Sequence, residues 1–373
     1  MFFAAAFALA AQVQTPPGET FEDLARKAES ALDTRPAEAV TLYRKALALR
    51  PYWGEGWMYL GAANYSLHRY AEASDAFRKG LRIYPRNGTA LAFLGLCEAE
   101  LDNIEQALTD IGAGEQLGLG DNLPFEIAVR VRATQLLIES ARFGEAKFQL
   151  WPLSRRDGVP EAAVVNTMGL LVMSVAAKYD DLSGRQRAAV SLAGKAAWAL
   201  ATQHPEEAAA AYQQLLKEYP AEPGVHYAHG MYLMETDPAA GLAEFRKEVD
   251  LHPDHWPALI MVGSLEMRAG NADQALDALR KAIRLAPADQ RWICHAQIGQ
   301  AYMTGDRLSD AIAEFEIAVN LMPNNAPIRF LLAQAYRRAG KKDDAEREQA
   351  VFEKLKVQED PLGVGALRPF GSD

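Results

Sequence analysis

Cysteine is nearly absent from this chain: Cys97 and Cys294 are the only two in 373 residues. They stand nearly two hundred residues apart, each beside apolar neighbours in a helical pattern. No internal disulfide is expected, and both read as small buried hydrophobes. No apolar run reaches the roughly 20 residues needed to span a bilayer. The strongly apolar stretch from Ala162 to Ala177 carries Asn166 and Thr167 and predicts a buried helix, so stable membrane insertion is not expected. An excess of positive charge is missing as well. The 39 Lys and Arg against 49 Asp and Glu give a formal net charge of -10, with a pI near 5.3. That balance removes the electrostatic basis for nucleic-acid binding. The nearest basic cluster, Arg329, Arg337, Arg338, Lys341 and Lys342, runs straight into Asp343, Asp344 and Glu346 and reads as a solvated capping surface. A basic mouth for an acidic peptide end is the competing reading. Runs of β-branched residues and long alternating stretches are scarce, so almost no sheet is expected. No Ser/Gly-rich or charge-run linker divides the chain, although its length alone would suggest two or three globular domains.

Catalytic signatures are absent too. There is no His-Glu-x-x-His, no Gly-x-Ser-x-Gly, no phosphate-binding Gly-rich loop ending in Lys-Ser/Thr, and no Cys-x-x-Cys-His. His226 and His229 share a helical face, and His252 and His255 bracket Pro253, so four imidazoles have the opportunity to meet. Their spacing fits no ligand signature, and acidic partners at fixed offsets are missing, which favours surface or packing histidines. No catalytic residue, metal ligand or cofactor site is assigned, and the chain is not expected to be an enzyme. Gly112, Gly114, Gly118 and Gly120 precede Asp121-Asn122 and read as a helix C-cap and turn.

What the chain does contain is a phrase rewritten every 33 to 36 residues. One copy runs Leu60-Gly61, Ala73, Phe77, Gly80, Pro85; another Val262-Gly263, Ala275, Leu279, Ala282, Pro287; a third Ile298-Gly299, Tyr302, Ala311, Phe315, Ala318, Pro323. Repetition at this period implies stacked supersecondary units. Gly61, Gly95, Gly263 and Gly299 fall mid-helix, where Gly costs roughly 1 kcal/mol against Ala. The small surface lets a partner helix approach, with Ala73, Ala107, Ala275 and Ala311 supplying the match and Phe77, Tyr212, Phe245 and Phe315 filling the far end of the crossing. Pro51, Pro85, Pro220, Pro253, Pro287 and Pro323 push the preceding residue out of the α region and close each second helix. Polar turns such as His68-Arg69-Tyr70, Ala269-Gly270-Asn271 and Thr304-Gly305-Asp306 lie between the helices of a unit.

These residues resemble the tetratricopeptide repeat family, through Trp57, Leu60, Gly61, Ala73, Phe77 and Pro85 and through Ile298, Gly299, Tyr302, Ala311, Phe315, Ala318 and Pro323. The match is strong over residues 54 to 118 and 188 to 324. It weakens at the front, where Ala39, Tyr43, Ala46 and Pro51 mark a second helix whose partner, about 20 to 33, lacks Leu-Gly. It weakens again from about 120 to 187, where only Ala146 and Met168-Gly169 echo it. The resemblance implies an all-α fold, an α-solenoid of helix-turn-helix repeats wound as a right-handed superhelix, with first helices lining a concave groove. The expected organisation is a signal peptide and short linker over 1–19, repeats over 20–158, and an irregular helical connector over 159–187. Repeats with a capping helix follow over 188–358, then a flexible tail over 359–373. Helical segments in the middle fall at about 124–140, 143–156, 160–178, 184–202 and 205–219. Five is an odd number for paired helices, so one is expected to be unpaired or unusually long, and the insertion is expected to bend the array into two lobes.

The first residues, Met1 to Ala11, form an apolar stretch with an Ala-Leu-Ala at Ala8 to Ala10, which predicts a secretory signal and a periplasmic or secreted protein. No Lys or Arg precedes it, and a frayed terminus on a cytoplasmic protein is the alternative. No Cys follows, so a lipid anchor is not expected.

A second stripe on the first helices completes the reading: Tyr227, Met231, Met234; Ile260, Ser264, Met267; Ala296, Gln300, Met303; Phe330, Gln334, Arg337. By the family resemblance it faces the groove, where Met and aromatic side chains among Gln, Ser and Arg suit adaptable peptide recognition. Packing between adjacent units is the competing assignment. The Lys/Asn/Arg clamp that some family members use for chaperone tails is not matched. The expected function is a noncatalytic scaffold for a protein or peptide partner, or alternatively an auxiliary or regulatory subunit of a cell-envelope enzyme or a secretion or assembly machine.

Overall fold

The computed structural model describes residues 19–359; the predicted signal stretch Met1 to Ala11 and the tail beyond Glu359 lie outside them. Among the described residues the chain is all α, with no strand. One compact unit ends at Leu136, inside α7. It holds α1 (Phe21–Ala31), α2 (Pro36–Leu49), α3 (Gly54–Ser66), α4 (Tyr70–Ile83), α5 (Gly88–Glu100), α6 (Ile104–Leu117) and most of α7 (Leu123–Glu139). A second unit begins at Leu137. It carries α8 (Phe143–Leu150), α9 (Glu161–Met173), α10 (Gly184–Ala201), α11 (Pro205–Glu218), α12 (Val225–Leu233) and α13 (Pro238–Leu251). It continues through α14 (Trp256–Arg268), α15 (Ala272–Leu285), α16 (Arg291–Thr304), α17 (Leu308–Leu321), α18 (Ala326–Arg338) and α19 (Lys342–Glu359).

Two local devices cut the chain into helix pairs. Each of the six prolines named above stands two residues after a helix end: α2, α4, α11, α13, α15 and α17 stop at Leu49, Ile83, Glu218, Leu251, Leu285 and Leu321. The intervening residue leaves the α region, as at Tyr84 (φ -123°, ψ 78°) and Met322 (φ -136°, ψ 73°), because the proline ring would collide with a helical predecessor. The second device is a left-handed residue in the short turn inside a pair. His68, Asp102, Ala141, Gln203, Gly270, Asp306 and Gly340 have φ of 57°, 63°, 55°, 65°, 83°, 56° and 74°. They join α3 to α4, α5 to α6, α7 to α8, α10 to α11, α14 to α15, α16 to α17 and α18 to α19. Counting by these turns leaves α9 as the odd helix of the middle region.

The segment expected over 143–156 stops as an α-helix at Leu150 and continues as a 3-10 turn over Trp151–Arg155, with Pro152 at its start. That expected over 160–178 ends at Met173, where Ser174 turns left-handed at φ 51°. The glycine cluster differs from the sequence reading. Gly112 and Gly114 lie inside α6, and only Gly118 (φ 96°) and Gly120 (φ 77°) serve the cap and turn. Gly114 is in the helix because its bare face meets Gly88; a Cβ there would stand 2.7 Å from the Gly88 carbonyl oxygen.

Within pairs, the mid-helix glycines meet a large residue sixteen positions on. A Cβ at Gly61 would lie 2.9 Å from Phe77, at Gly95 2.7 Å from Ile111, at Gly263 2.5 Å from Leu279, and at Gly299 2.8 Å from Phe315. Phe77, Ile111, Leu279 and Phe315 are fully buried. Between pairs, a buried carboxylate recurs. Glu98, 2% exposed, accepts from Ser74 (2.7 Å), Arg78 (2.8 Å) and Asn103 (2.8 Å). Glu266, 1% exposed, accepts from Arg246 and from Asn271 (2.8 Å). In both cases the arginine stands 20 residues earlier, on the preceding second helix, and the asparagine five later, in the turn. α5 and α14 are thereby fastened to the unit before each of them.

Candidate functional site

The stripe over the first helices is distributed between core and surface. Tyr227, with Met231 and Met234 against it, packs with Phe245, Ala258 and Leu265. Ile260, Met267, Ala296 and Met303 join a larger cluster that includes Leu279, Ile298 and Phe315. Tyr227 and Ile260 are buried, whereas the four methionines Met231, Met234, Met267 and Met303 remain half-buried. Ser264, Gln300 and Gln334 are also half-buried, and Arg337 is exposed. Phe330 is 36% exposed and leans on Phe352 of α19, ring centroids 5.2 Å apart.

The four histidines do not converge: His226 and His229 both face Glu244, while His252 and His255 turn to backbone carbonyls. His226 Nδ1 is 2.6 Å from Glu244, which also takes Lys247 at 2.6 Å and has His229 at 3.4 Å. His252 Nε2 faces the Ala221 carbonyl at 3.1 Å. His255 caps α14 by accepting from the Ala258 amide and turns Nε2 to the Met173 carbonyl at 3.1 Å. Burial holds the His229 pKa below its ordinary value against the opposing pull of Glu244. Burial would raise Glu244, but hydrogen bonds from His226 and Lys247 outweigh it and hold the carboxyl low. In the basic cluster, Arg329 pairs with Glu348 at 2.7 Å, and Arg338 donates to the Met303 carbonyl (2.8 Å) and Asp306 (2.9 Å). Both cysteines are buried free thiols, and burial pushes each pKa up to about 12.

A feature that periodicity did not point to lies beside α9. This helix crosses α10 at glycine on both sides: a Cβ at Gly169 would meet the Val190 carbonyl oxygen at 1.9 Å, and one at Gly194 the Val165 carbonyl oxygen at 1.8 Å. Asn166, the polar break in its apolar run, accepts from Ser191 Oγ at 2.7 Å. Its last residue, Met173, closes on Gly224 before α12, where a Cβ would stand 2.2 Å from the Met173 carbonyl oxygen. Held so, α9 walls a cavity of about 450 Å³. From α8 and the following turn come Lys147, Leu150, Trp151 and Ser154; from α9, Met168, Leu171 and Val172; from α10, Leu200 and Ala201; from α12, Tyr227 and Met231; and from the turn after it, Glu235. Tyr212 and Tyr232 line it as a stacked pair, centroids 4.6 Å apart. Tyr227 and Met231 thus belong both to the stripe and to this cavity. A larger cleft of about 660 Å³ runs along α10 and α11, but Glu161, Lys195, His204 and Glu207 make its lining mixed and polar.

Lys147 is the one basic residue of the cavity lining. Its side chain is open to solvent, yet protein surrounds it on most sides, and this desolvation lowers its pKa. No hydrogen bond or charge from another described residue offsets that effect.

Helix pairs closed by proline, crossed at glycine and fastened to the preceding unit define a repeat solenoid, a class of protein-interaction scaffold. Tetratricopeptide repeat profiles match residues 54–87, 195–221, 227–290 and 297–351. The chain belongs to the tetratricopeptide repeat family. A stretch of 140 residues is 32% identical to the protein named cellulose synthase operon protein C of Xanthomonas axonopodis pv. citri (strain 306). It covers 36% of this chain and 9% of that protein's length. Similar solved structures include MamA from Desulfovibrio magneticus RS-1, at 21% identity over 48% of this chain and 98% of that one, TM-score 0.42. PilF of Pseudomonas aeruginosa is 16% identical over 48% of this chain and 86% of its own, TM-score 0.43. Yeast Tom70 is 14% identical over 91% and 76%, TM-score 0.40. Among the described residues no helix is long and apolar enough to cross a membrane.

Proposed function

We propose that the protein is a noncatalytic scaffold that recognises a protein or peptide partner through the face carried by α12, α14, α16 and α18, between Tyr227 and Arg337. The observation that carries this reading is the set of half-buried methionines, Met231, Met234, Met267 and Met303, on three successive first helices. Each is anchored on one side to a core and leaves part of a flexible, polarizable side chain accessible, which suits a surface that adapts to its partner. Phe330 and Arg337 extend the same face with an aromatic and a charged group. A second reading, an auxiliary subunit of a multiprotein enzyme or envelope assembly, is favoured by the similarity to a protein of a cellulose synthase operon.

Affinity capture with mass spectrometry, using wild type, Met267→Glu and Phe330→Glu, tests both. Loss of a specific partner with helicity unchanged supports the face as the interface, because buried anchors dominate interfaces and a charge there is strongly unfavourable. One stoichiometric enzyme among the captured proteins favours the second reading. Full capture by both stable variants would sink the assignment of this face.

A further inference from the structure

We propose that the cavity walled by α8, α9, α10 and α12 binds one long-chain carboxylate, its acyl chain against the apolar walls and its head group paired with Lys147. This does not depend on the partner-recognition reading. A volume of about 450 Å³ lies within the range of small-molecule sites, about 300–1,000 Å³, and such sites combine mostly apolar walls with a few placed polar groups. Leu171, Leu200 and Met231 are walls of that kind, and Trp151, 53% exposed, adds an aromatic edge beside them, with Arg155 over its ring at 5.5 Å.

The polar end is specified by one cation. Lys147 bears a charge that its surroundings disfavour, and no described carboxylate neutralises it. Glu235 also lines the cavity, but it does not perturb the amine. Among the lining residues the Lys147 ammonium is the one cation, and the neighbouring Arg155 guanidinium is engaged over the Trp151 ring at 5.5 Å; a single point charge at the wall suits a monoanionic head better than a phosphate, which recruits forked donors. The walls are preorganised for such a ligand. The glycine crossing with α10 and the contact of Met173 with Gly224 fix α9, the helix that stands outside the repeat pairing. A cavity open before the ligand arrives loses less entropy on binding.

The test is calorimetric titration of the full chain with sodium dodecanoate below its micellar concentration, with dodecanol and dodecyltrimethylammonium as chain-matched controls. The expected result is saturable one-to-one binding of dodecanoate, at least about tenfold tighter than dodecanol, as one charge-assisted contact provides. The ammonium compound should not saturate. Lys147→Met should bring dodecanoate down to the affinity of dodecanol, and Ala201→Trp should abolish binding by filling the cavity, both with unchanged far-UV circular dichroism. If either variant loses helicity, the charge selectivity of the wild-type protein decides. Equal affinity for the three compounds, no saturable binding of dodecanoate, or Lys147→Met with wild-type affinity would overturn the proposal. So would displacement of dodecanoate by a lower concentration of a peptide with an apolar C-terminal residue, since that assigns the site to a protein terminus.

Discussion

Replacing Gly194 by Ala tests whether the α9–α10 crossing holds the second unit's middle together. The new Cβ would stand 1.8 Å from the Val165 carbonyl oxygen and 2.9 Å from the Gly169 nitrogen, where ordinary contact begins at 3.4 Å. The difference, 3.4 minus 1.8, means that α9 must retreat by about 1.6 Å. Rotamer changes cannot relieve it, because the obstructing atoms are backbone. Retreat would stretch the 2.7 Å bond between Asn166 and Ser191 and loosen Val165 and Met168. Overpacking of this kind costs about 1–3 kcal/mol, and the rigid obstacle places it at the upper end. Ala recovers about 1 kcal/mol of helix propensity, leaving a net destabilisation of about 2 kcal/mol. Gly144→Ala is the control: it is also helical but has no atom within 4 Å of the added carbon, so it should gain a few tenths to about 1 kcal/mol. Urea unfolding followed by Trp198, which lies on α10, compares the two, and dodecanoate affinity reports whether the cavity survives. Gly194→Ala as stable as Gly144→Ala would refute the reasoning.

Glu98→Ala should destabilise the first unit by about 2–3 kcal/mol, since Ser74, Arg78 and Asn103 lose a charged acceptor; the exposure of Arg78 (54%) keeps the loss below that of a fully buried pair. Glu98→Gln keeps an acceptor and should lose about half as much in the same denaturant titration. Acid should weaken the second unit in two stages. His229 has a depressed folded pKa, so its contribution is present above its ordinary value of 6.5 and lost as the pH falls below it; that of Glu244, depressed below 4.5, is lost only at still lower pH. His229→Phe should flatten the upper stage, and a mutant whose stability falls as steeply as wild type between pH 7 and about 5 would discard the assignment.

The repeat architecture was legible because its signals are local and steric. A proline fixes the helix end two residues upstream whatever surrounds it, and a glycine sixteen positions before a large apolar residue marks a crossing. Both survive in the raw sequence at the copies built on Gly61, Gly263 and Gly299. The buried carboxylates were missed although they too have a signature, an Arg 20 residues before the Glu and an Asn five after. Taken singly, Glu98 and Glu266 look like ordinary surface residues of an amphipathic helix, and only superimposed repeats reveal the shared offsets. The left-handed turn residues were harder to find. Gln203 occupies the position where Gly270 and Gly340 also stand, so the turn conformation there is imposed by packing of α10 and α11 rather than announced by residue type.

The cavity was illegible for a different reason. Apolar periodicity shows that α9 is buried, but burial and cavity walls draw on the same side chains: Met168 and Leu171 are buried core residues that also line the cavity. What turns a filled crossing into a walled space is where the helix stops. Ser174 ends α9 and Gly224 receives its last carbonyl, so the chain passes to α10 without filling the space between Leu200 and Met231. The stripe meets the same ambiguity from the other side. Tyr227 and Met231 satisfy the spacing of a partner-facing row, the contacts of a core and the lining of a cavity at once. A single helical face three to four residues wide cannot separate those roles by pattern, whereas the cavity lining adds a chemical difference: Lys147 sets one solvent-open amine, with no described charge partner, beside apolar walls. That combination of an amine with apolar walls is what the dodecanoate titration and Lys147→Met examine.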